Sequence, residues 1–288
     1  MREVLAKGIL SSRNGMNIYR GCTHGCIYCD ARSECYGMDH KFEDIEVKVN
    51  APELLEQALR RKRYKCMIGT GSMSDPYMHI EEKLGNMRIC LEIIEKYGFG
   101  CAILTKSSRI LRDIDILKKI NQKTKCVVQM TLTTYNEELC KILEPNVSST
   151  RERAETLNIL RDNGIPAVVW LSPILPFIND SEENLRGILE YCVEAGVKGI
   201  INFGMGLTLR SGNREYFYSK LDKHFPGLKD KYIRTYGRSY QIFSPNNDVL
   251  MKTFYSVCAK NGIISDAGEC FKYLNAFENK YAAEQISL

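Results

Sequence analysis

Short apolar runs alternate along the chain with segments that have helical periodicity. Such runs are typical of parallel strands covered on both faces, because every side chain of the strand is then buried. The segments between them are long enough to form helices. The pattern predicts strands over residues 17–20, 66–69, 101–105, 126–132, 167–171 and 199–203.

Two of the intervening segments carry signals for the start of a helix. Asn50 is a good N-cap, with Pro52 in the first turn and Glu53 at the capping-box position. A second helix begins near Asp180, and Gly196 is positioned to end it. Apolar spacing predicts further helices over residues 83–97, 110–120, 151–163, 248–260 and 271–283. The alternation predicts an α/β fold, either a βα barrel or a doubly wound sheet.

The alternating pattern ends near residue 210, and the chain then becomes irregular and aromatic. We therefore expect a main domain over residues 1–210 and a mainly helical or irregular extension over residues 211–288 that packs on it. Hydrophobic residues make up 44% and charged residues 26% of the chain, as in ordinary globular proteins. No apolar run resembles a signal peptide or is long enough to span a bilayer, which predicts a cytoplasmic protein without a membrane partner.

Three of the twelve cysteines form a cluster directly after the first predicted strand. Cys22, Cys26 and Cys29 are separated by three and then two residues. Cysteine thiolates are the usual ligands of iron–sulfur clusters, and this spacing lets one loop wrap one cluster. Three ligands for four irons leave one iron open for chemistry. The alternative is a structural zinc site completed by His24 or Cys35.

The Cys-x-x-x-Cys-x-aromatic-Cys loop resembles the signature of the radical S-adenosylmethionine (radical SAM) superfamily. Residues 17–206 resemble its spore photoproduct lyase-like branch. The resemblance implies a partial (β/α)6 TIM-type barrel, one 4Fe–4S cluster on the three cysteines, and SAM as the second cofactor. It also implies reductive cleavage of SAM to a 5′-deoxyadenosyl radical that abstracts hydrogen from a substrate. The reductant would be a partner such as flavodoxin or ferredoxin, and Tyr28 is expected to pack near the adenine.

Small residues follow the second predicted strand, at Gly71, Ser72 and Ser74, and Asp75 comes next. Small residues let the backbone approach a ligand closely. The resemblance implies that this turn receives the methionyl amino group, and Asp75 is our candidate for a catalytic residue. The alternative is an ordinary βα turn in which Ser74 or Asp75 caps a helix.

Further candidates for cofactor binding come after the third and fourth strands. The resemblance assigns Lys106 to the methionyl carboxylate, Thr131 and Thr133 to the methionyl group or ribose, and Arg153 to the cofactor. Each has an ordinary alternative: a solvated lysine, threonines present for their β propensity, and an arginine paired on a helix surface.

Two departures separate this chain from spore photoproduct lyase itself. That enzyme returns a hydrogen atom from a cysteine after its second strand, where this chain has Ser72, and it has a tyrosine where this chain has Asp30. An O–H bond is too strong to replace a thiol as a hydrogen-atom donor, so dimer repair by that mechanism is not expected.

The identity of the substrate is open at this stage. Basic and aromatic residues interleave over residues 218–240, as in proteins that bind single-stranded nucleic acid, but an amphipathic surface would look the same. The net charge of +5 permits such a partner without requiring it. Nucleic acid, a peptide or protein, and a small metabolite remain candidates. A non-catalytic metal-binding module or redox sensor is a further alternative.

Overall fold

The computed structural model describes residues 1–280 of the 288-residue chain. The strands are β1 (Arg2–Val4), β2 (Gly15–Met16), β3 (Tyr19–Arg20), β4 (Glu46–Lys48), β5 (Met67–Thr70), β6 (Gly100–Thr105), β7 (Cys126–Thr131), β8 (Ala167–Trp170), β9 (Gly199–Ile201), β10 (Gly206–Thr208) and β11 (Gln241–Phe243). The α-helices are α1 (Ala51–Arg61), α2 (Glu81–Leu84), α3 (Asn86–Lys96), α4 (Ile114–Lys123), α5 (Glu137–Leu143), α6 (Thr150–Asp162), α7 (Glu182–Glu194), α8 (Asn213–His224), α9 (Leu228–Tyr236), α10 (Asn247–Lys260) and α11 (Ala267–Asn275). Short 3₁₀ helices cover Asp30–Arg32, Glu34–Tyr36 and Ser108–Asp113.

A six-stranded parallel sheet with the order β2-β5-β6-β7-β8-β9 forms the centre of the molecule. From β5 onward, helices follow each strand and cover the outer face of the sheet, which explains why these strands are apolar on both faces. Strand order follows chain order without reversal, as in a βα barrel and unlike a doubly wound sheet. The structure therefore confirms the predicted α/β class with a partial TIM-type barrel.

The first predicted strand differs from the observed one. Residues 17–20 do not form a single strand of the main sheet. Instead β2 pairs with β5, whereas β3 leaves the sheet and pairs antiparallel with β4. Ser74 donates a hydrogen bond of 2.9 Å to the Tyr19 carbonyl and so fixes this departure. The change of direction brings the following loop over the carboxyl ends of the strands.

The inner face of the sheet is divided between packed side chains and an open cavity. Near the amino ends of the strands, Ala102, Val127 and Val168 pack against Cys270 and Leu274 of α11. Residues further along the same strands line the cavity. In a βα barrel the chemistry is found at this carboxyl end, because the βα loops converge there.

The C-terminal part of the chain contacts the sheet at several places. β10 pairs with β11, and α8 and α9 pack beside the cysteine loop. The predicted helix over 271–283 is instead α11, which is capped by Asp266 and ends at Asn275; residues 281–283 lie outside the described residues. Helices α5, α8 and α9 were not predicted. No helix within residues 1–280 is long and apolar enough to cross a membrane.

Candidate active site

The cysteine loop is held in place by hydrogen bonds of its own main chain. The amide of Cys22 donates to the Phe42 carbonyl at 3.0 Å, and the amide of Ile27 donates to the Leu143 carbonyl at 2.9 Å. Gly21 has a φ of +81°, and a Cβ atom at this position would overlap the Phe42 carbonyl oxygen. Only glycine allows this approach, so the conformation of the loop is fixed before any ligand is considered.

Cys22, Cys26 and Cys29, which we call the cysteine triad, line one cavity of about 600 Å³ at the carboxyl ends of the strands. This volume is within the range of small-molecule sites. Burial raises the pKa of the Cys22 thiol to about 12 and raises the pKa values of Cys26 and Cys29 as well. Thiolates in such surroundings need a cationic partner, and a bound metal centre provides one.

The sulfur atoms of the triad are not all close enough together in this structure to bind one zinc ion. Among residues 1–280, the one group of three metal-binding side chains with all ligand atoms within 4.8 Å of one another is Asp39, His40 and Glu46. At least two sulfur atoms of the triad are therefore further apart than 4.8 Å. A tetrahedral zinc ion with Zn–S bonds of about 2.3 Å needs sulfur atoms roughly 3.8 Å apart.

The two side chains considered as a fourth zinc ligand have other neighbours. Cys35 is exposed, and its sulfur accepts a hydrogen bond of 3.6 Å from Arg210 Nη1. His24 is buried against the cavity, with Nδ1 3.4 Å from Asp75 Oδ2. Burial lowers the pKa of His24, so the ring is neutral, and its Nε2 has no hydrogen-bond partner among residues 1–280. The sequence singled out His24 only as a zinc ligand and not as a cavity residue.

Asp75 lines the cavity, and its carboxylate is surrounded by donors from the neighbouring strand end. Its Oδ1 accepts hydrogen bonds from the Thr105 hydroxyl at 2.7 Å and the Tyr77 amide at 2.8 Å. Its Oδ2 accepts one from the Lys106 amide at 2.7 Å. These contacts fix the turn after β5 against the end of β6. They hold the Asp75 carboxylate in place at the cavity wall, and its catalytic role stays a prediction.

The turn after β5 is close to the main chain of β6. Gly71 has a φ of +96°, and a Cβ atom there would overlap the Leu104 carbonyl oxygen. Ser72 and Ser74 also line the cavity. Ser74 does not cap a helix, because its hydroxyl is bonded to the Tyr19 carbonyl.

Lys106 projects an ammonium group into the cavity. Its Nζ is 5.8 Å from the centre of the Tyr28 ring and has no hydrogen-bond acceptor or carboxylate partner within the described residues. Burial alone lowers the pKa of Lys106, but the negative charges of Cys26 and Glu144 outweigh it, and the pKa is raised. The ammonium group is therefore charged and available to an anion.

Glu144 and Arg153 form a buried ion pair behind the cavity wall. Arg153 Nη2 is 2.6 Å from Glu144 Oε2, both side chains are fully buried, and the Tyr28 hydroxyl donates to the other carboxylate oxygen. Burial raises the pKa of Glu144, but the positive charges of Arg153 and Lys106 outweigh it and lower the pKa. The sequence gave no role to Glu144, because only its partners across the fold make it part of the site.

The structure brings all the predicted site residues to the cavity except Thr133 and Arg153. Arg153 donates to the Thr131 carbonyl at 2.7 Å and so supports the cavity from behind. Thr133 is buried, with its hydroxyl 3.3 Å from that of Thr134. Both side chains are buried, and neither lines the cavity.

Exposed aromatic rings surround the mouth of the cavity. Trp170 and Phe203 line it with ring centres 6.0 Å apart, and Phe271 stacks on Phe203 at 6.3 Å. Tyr240 and Phe243 line it too and are 48% and 40% exposed. We call these five residues the aromatic rim. Sequence reasoning missed most of it, because the rings come from separate segments.

The basic and aromatic stretch over residues 218–240, which was compatible with nucleic-acid binding or with an amphipathic surface, has most of its rings packed in the core. Tyr232 is fully buried, and its hydroxyl donates to the Pro176 carbonyl at 2.6 Å. Tyr218 and Tyr236 pack in the same core cluster. The rings of α8 and α9 thus form core, and within this stretch Tyr240 is the ring that lines the cavity.

The fold and the site together describe a partial barrel with a cavity at the carboxyl ends of its strands, lined by the three cysteines of the triad. The family model "Radical SAM superfamily" matches residues 16–192, which is more than half of the chain. The chain therefore belongs to the radical SAM superfamily. Enzymes of this family use a 4Fe–4S cluster and SAM, so these two are the cofactors of this chain. They also require a reductant.

Relatives in sequence and structure support this assignment. An uncharacterized protein of Mycobacterium tuberculosis is 28% identical over 279 residues, covering 92% of this chain and 82% of that protein. A protein of Pseudomonas phage M6 named "Radical SAM Nalpha-GlyT isomerase" is 26% identical over 180 residues, covering 62% of this chain and 36% of that protein.

Solved structures of spore photoproduct lyase share the fold. One mutant of that enzyme matches with a TM-score of 0.66 and 14% identity, covering 91% of this chain and 80% of that chain. Another mutant, with bound AdoMet and dinucleoside spore photoproduct, matches with a TM-score of 0.63 and 13% identity, covering 86% of this chain and 74% of that chain.

Proposed function

We propose that the cysteine triad holds the 4Fe–4S cluster and that SAM binds in the cavity beside it. When bound, the two cofactors supply a 5′-deoxyadenosyl radical, which takes a hydrogen atom from the substrate. The observation that carries this proposal is that the triad thiols and the ammonium of Lys106, which has no partner within residues 1–280, line the same cavity.

The residues around the cavity bind and orient the cofactor. Lys106 pairs with the methionyl carboxylate, because it is the charged donor in the cavity without a partner of its own. The turn at Gly71 and Ser72 receives the methionyl amino group. Thr131, the last residue of β7, contacts the ribose. Tyr28 packs beside the cofactor and is fixed by Glu144.

We further propose a nucleic acid as the substrate. Single-stranded nucleic acids bind to exposed aromatic rings on which their bases stack, with basic side chains nearby for the phosphates. The aromatic rim has this character, and Arg210 is hydrogen bonded to the Tyr240 hydroxyl at 2.7 Å beside it. The bound dinucleoside in the solved structure of spore photoproduct lyase supports the same class of substrate. Because Ser72 replaces the hydrogen-donor cysteine, we do not propose dimer repair.

Metal analysis after anaerobic reconstitution tests the first part of the proposal. Four iron and four sulfide per chain are expected, with loss of both when a triad cysteine is replaced. One zinc per chain and no sulfide would contradict it.

Binding of a short single-stranded oligonucleotide tests the second part. Fluorescence anisotropy should show binding at low salt that weakens steeply as salt increases, because phosphate contacts release counterions. If no binding is measurable at low salt, the substrate is a peptide, a protein or a small metabolite instead.

A further inference from the structure

A small basic cleft lies on the outer side of the cysteine loop. Its wall includes Gly25 of the loop itself, one carboxylate (Glu138) and the side chains of Lys141, Lys220, Lys223 and His224. We call this wall the outer basic cleft. It shares no residue with the cavity that the triad lines. The loop therefore separates two surfaces, one facing the cofactors and one facing solvent.

The packing of α8 explains why basic residues gather at this place. Phe217 and Leu221 on the buried face of α8 pack in one core cluster with Cys26 and Ile27. Lys220 and Lys223 are on the same helix as these apolar residues, and their side chains line the cleft. A ligand residue of the cluster and the cationic side chains are held together by the same packing.

The cleft carries positive charge that nearby carboxylates do not neutralise. Lys141 is paired with Glu138 at 2.7 Å. Lys220 and Lys223 have no carboxylate within 4.0 Å in the part of the chain that the structure describes, and the Lys220 ammonium is instead 5.0 Å from the Tyr216 ring centre. Burial and then the positive charges of Lys223 and Lys220 lower the pKa of His224.

Only one residue of the loop, Gly25, separates this cleft along the chain from Cys26. Gly25 has no side chain, is partly exposed, and directly precedes Cys26, whose thiol lines the inner cavity. A redox partner seated here would approach a cluster ligand through a single residue of backbone. The cavity mouth would meanwhile stay open to SAM and substrate.

We propose that the outer basic cleft is the docking surface for an acidic electron-carrier protein, an inference that rests on the radical SAM function proposed above. One electron leaves the reduced flavin or iron–sulfur centre of the carrier and enters the cluster, and no proton or other group is transferred in this step. The lysines steer the acidic carrier and set its orientation, which is the usual role of charge at transient interfaces.

Lysines of this kind could also contact a nucleic-acid phosphate. The position of the cleft favours the carrier, because the cleft adjoins the cysteine loop and contains none of the rings of the aromatic rim. Lys220 and Lys223, which the sequence offered as contacts to nucleic acid, are thereby assigned to a protein partner.

A pair of double variants tests the docking surface. Lys220→Glu/Lys223→Glu reverses the charge of the cleft, and Lys198→Glu/Lys260→Glu makes the same charge change at exposed lysines outside it. The dissociation constant for an acidic flavodoxin is measured by biolayer interferometry on the reconstituted protein at low and moderate salt. We expect binding to weaken about tenfold in the first variant and less than about twofold in the second, with a smaller salt dependence in the first.

Other outcomes overturn the proposal. It is wrong if the wild type does not bind the flavodoxin at low salt, or if both double variants bind it equally well. It is also wrong if Lys220→Glu/Lys223→Glu loses affinity for a single-stranded oligonucleotide while keeping its affinity for flavodoxin.

A chemical reductant separates this proposal from the proposed function. With excess dithionite, which needs no docking surface, the wild type and both double variants should form the same amount of 5′-deoxyadenosine. Failure of the wild type with dithionite would count against the radical SAM function. Normal yield with dithionite together with slower cluster reduction by flavodoxin in the cleft variant alone is the result that supports docking.

Discussion

The cluster side of the cavity (the cysteine triad, Tyr28 and Lys106) and the aromatic rim are built from different kinds of sequence. The cluster side comes from short segments, and main-chain bonds and a buried ion pair fix it. The rim comes from rings on distant segments that are partly exposed; Phe203, for example, is 49% exposed. The difference teaches that the cofactors are bound by short, firmly held segments in this chain. Recognition of a substrate depends instead on side chains that only folding brings together.

The largest effect is expected from the triad. Cys26→Ala should remove the cluster and reduce SAM cleavage to background, because a three-ligand site has no spare protein ligand. Iron and sulfide content and the visible absorption of the cluster are the measurements. Cys35→Ala is the matched control and should keep both. If Cys35→Ala loses the metal equally, then Cys35 is a ligand and the zinc alternative gains support.

Arg153→Met tests whether the buried ion pair supports the cluster side. Breaking a buried pair leaves one charge uncompensated, so the free energy of unfolding should fall by about 3–5 kcal/mol. Denaturant unfolding measures it, and Arg151→Met, an exposed position on the same helix, should cost less than about 0.5 kcal/mol. Adding Glu144→Gln to Arg153→Met should recover part of the loss. Equal costs for the two arginines would show that the pair is not structural.

Lys106→Met tests cofactor binding without disturbing the metal. Loss of one charged hydrogen bond costs about 2 kcal/mol, which corresponds to roughly 30-fold weaker binding of SAM. Equilibrium binding to the reconstituted protein measures the change, and the absorption spectrum of the cluster should stay unchanged. Lys83→Met, at an exposed lysine, serves as the control. Unchanged affinity in Lys106→Met would leave the methionyl carboxylate without an assigned partner.

The smallest effect is expected at the rim. Phe203→Ala should weaken binding of a single-stranded oligonucleotide by about 1 kcal/mol, or roughly fivefold, because one stacking surface is lost. Tyr64→Ala removes a ring that is 83% exposed on the loop before β5, at the other end of the strands, and should change nothing. If the two variants behave alike in the anisotropy assay, the rim is not a stacking surface.

The sequence was sufficient where neighbouring residues carry the signal. Strands β5 to β9 of the barrel could be predicted because each is a contiguous apolar run, and the cysteine triad could be singled out because its spacing is a local property. The turn at Gly71, a predicted cofactor-binding position, lines the cavity because it immediately follows a strand whose carboxyl end faces the cavity.

The sequence was insufficient where tertiary contacts decide. Arg153 was a candidate for cofactor binding with ion pairing as the alternative, and the sequence could not show that it pairs with buried Glu144 and does not line the cavity. The first strand was misplaced because Ser74, far along the chain, holds the Tyr19 carbonyl away from the main sheet. The rings of residues 218–240 were compatible with a nucleic-acid surface or an amphipathic surface, whereas helical packing buries Tyr232 in the core.

Formation of 5′-deoxyadenosine tests the central claim most directly. The reconstituted wild-type protein and Cys26→Ala are incubated anaerobically with SAM and dithionite, and the product is quantified by chromatography. The account predicts 5′-deoxyadenosine in the wild type and none above background in Cys26→Ala. A wild-type protein that carries four iron and four sulfide yet forms no 5′-deoxyadenosine would contradict it.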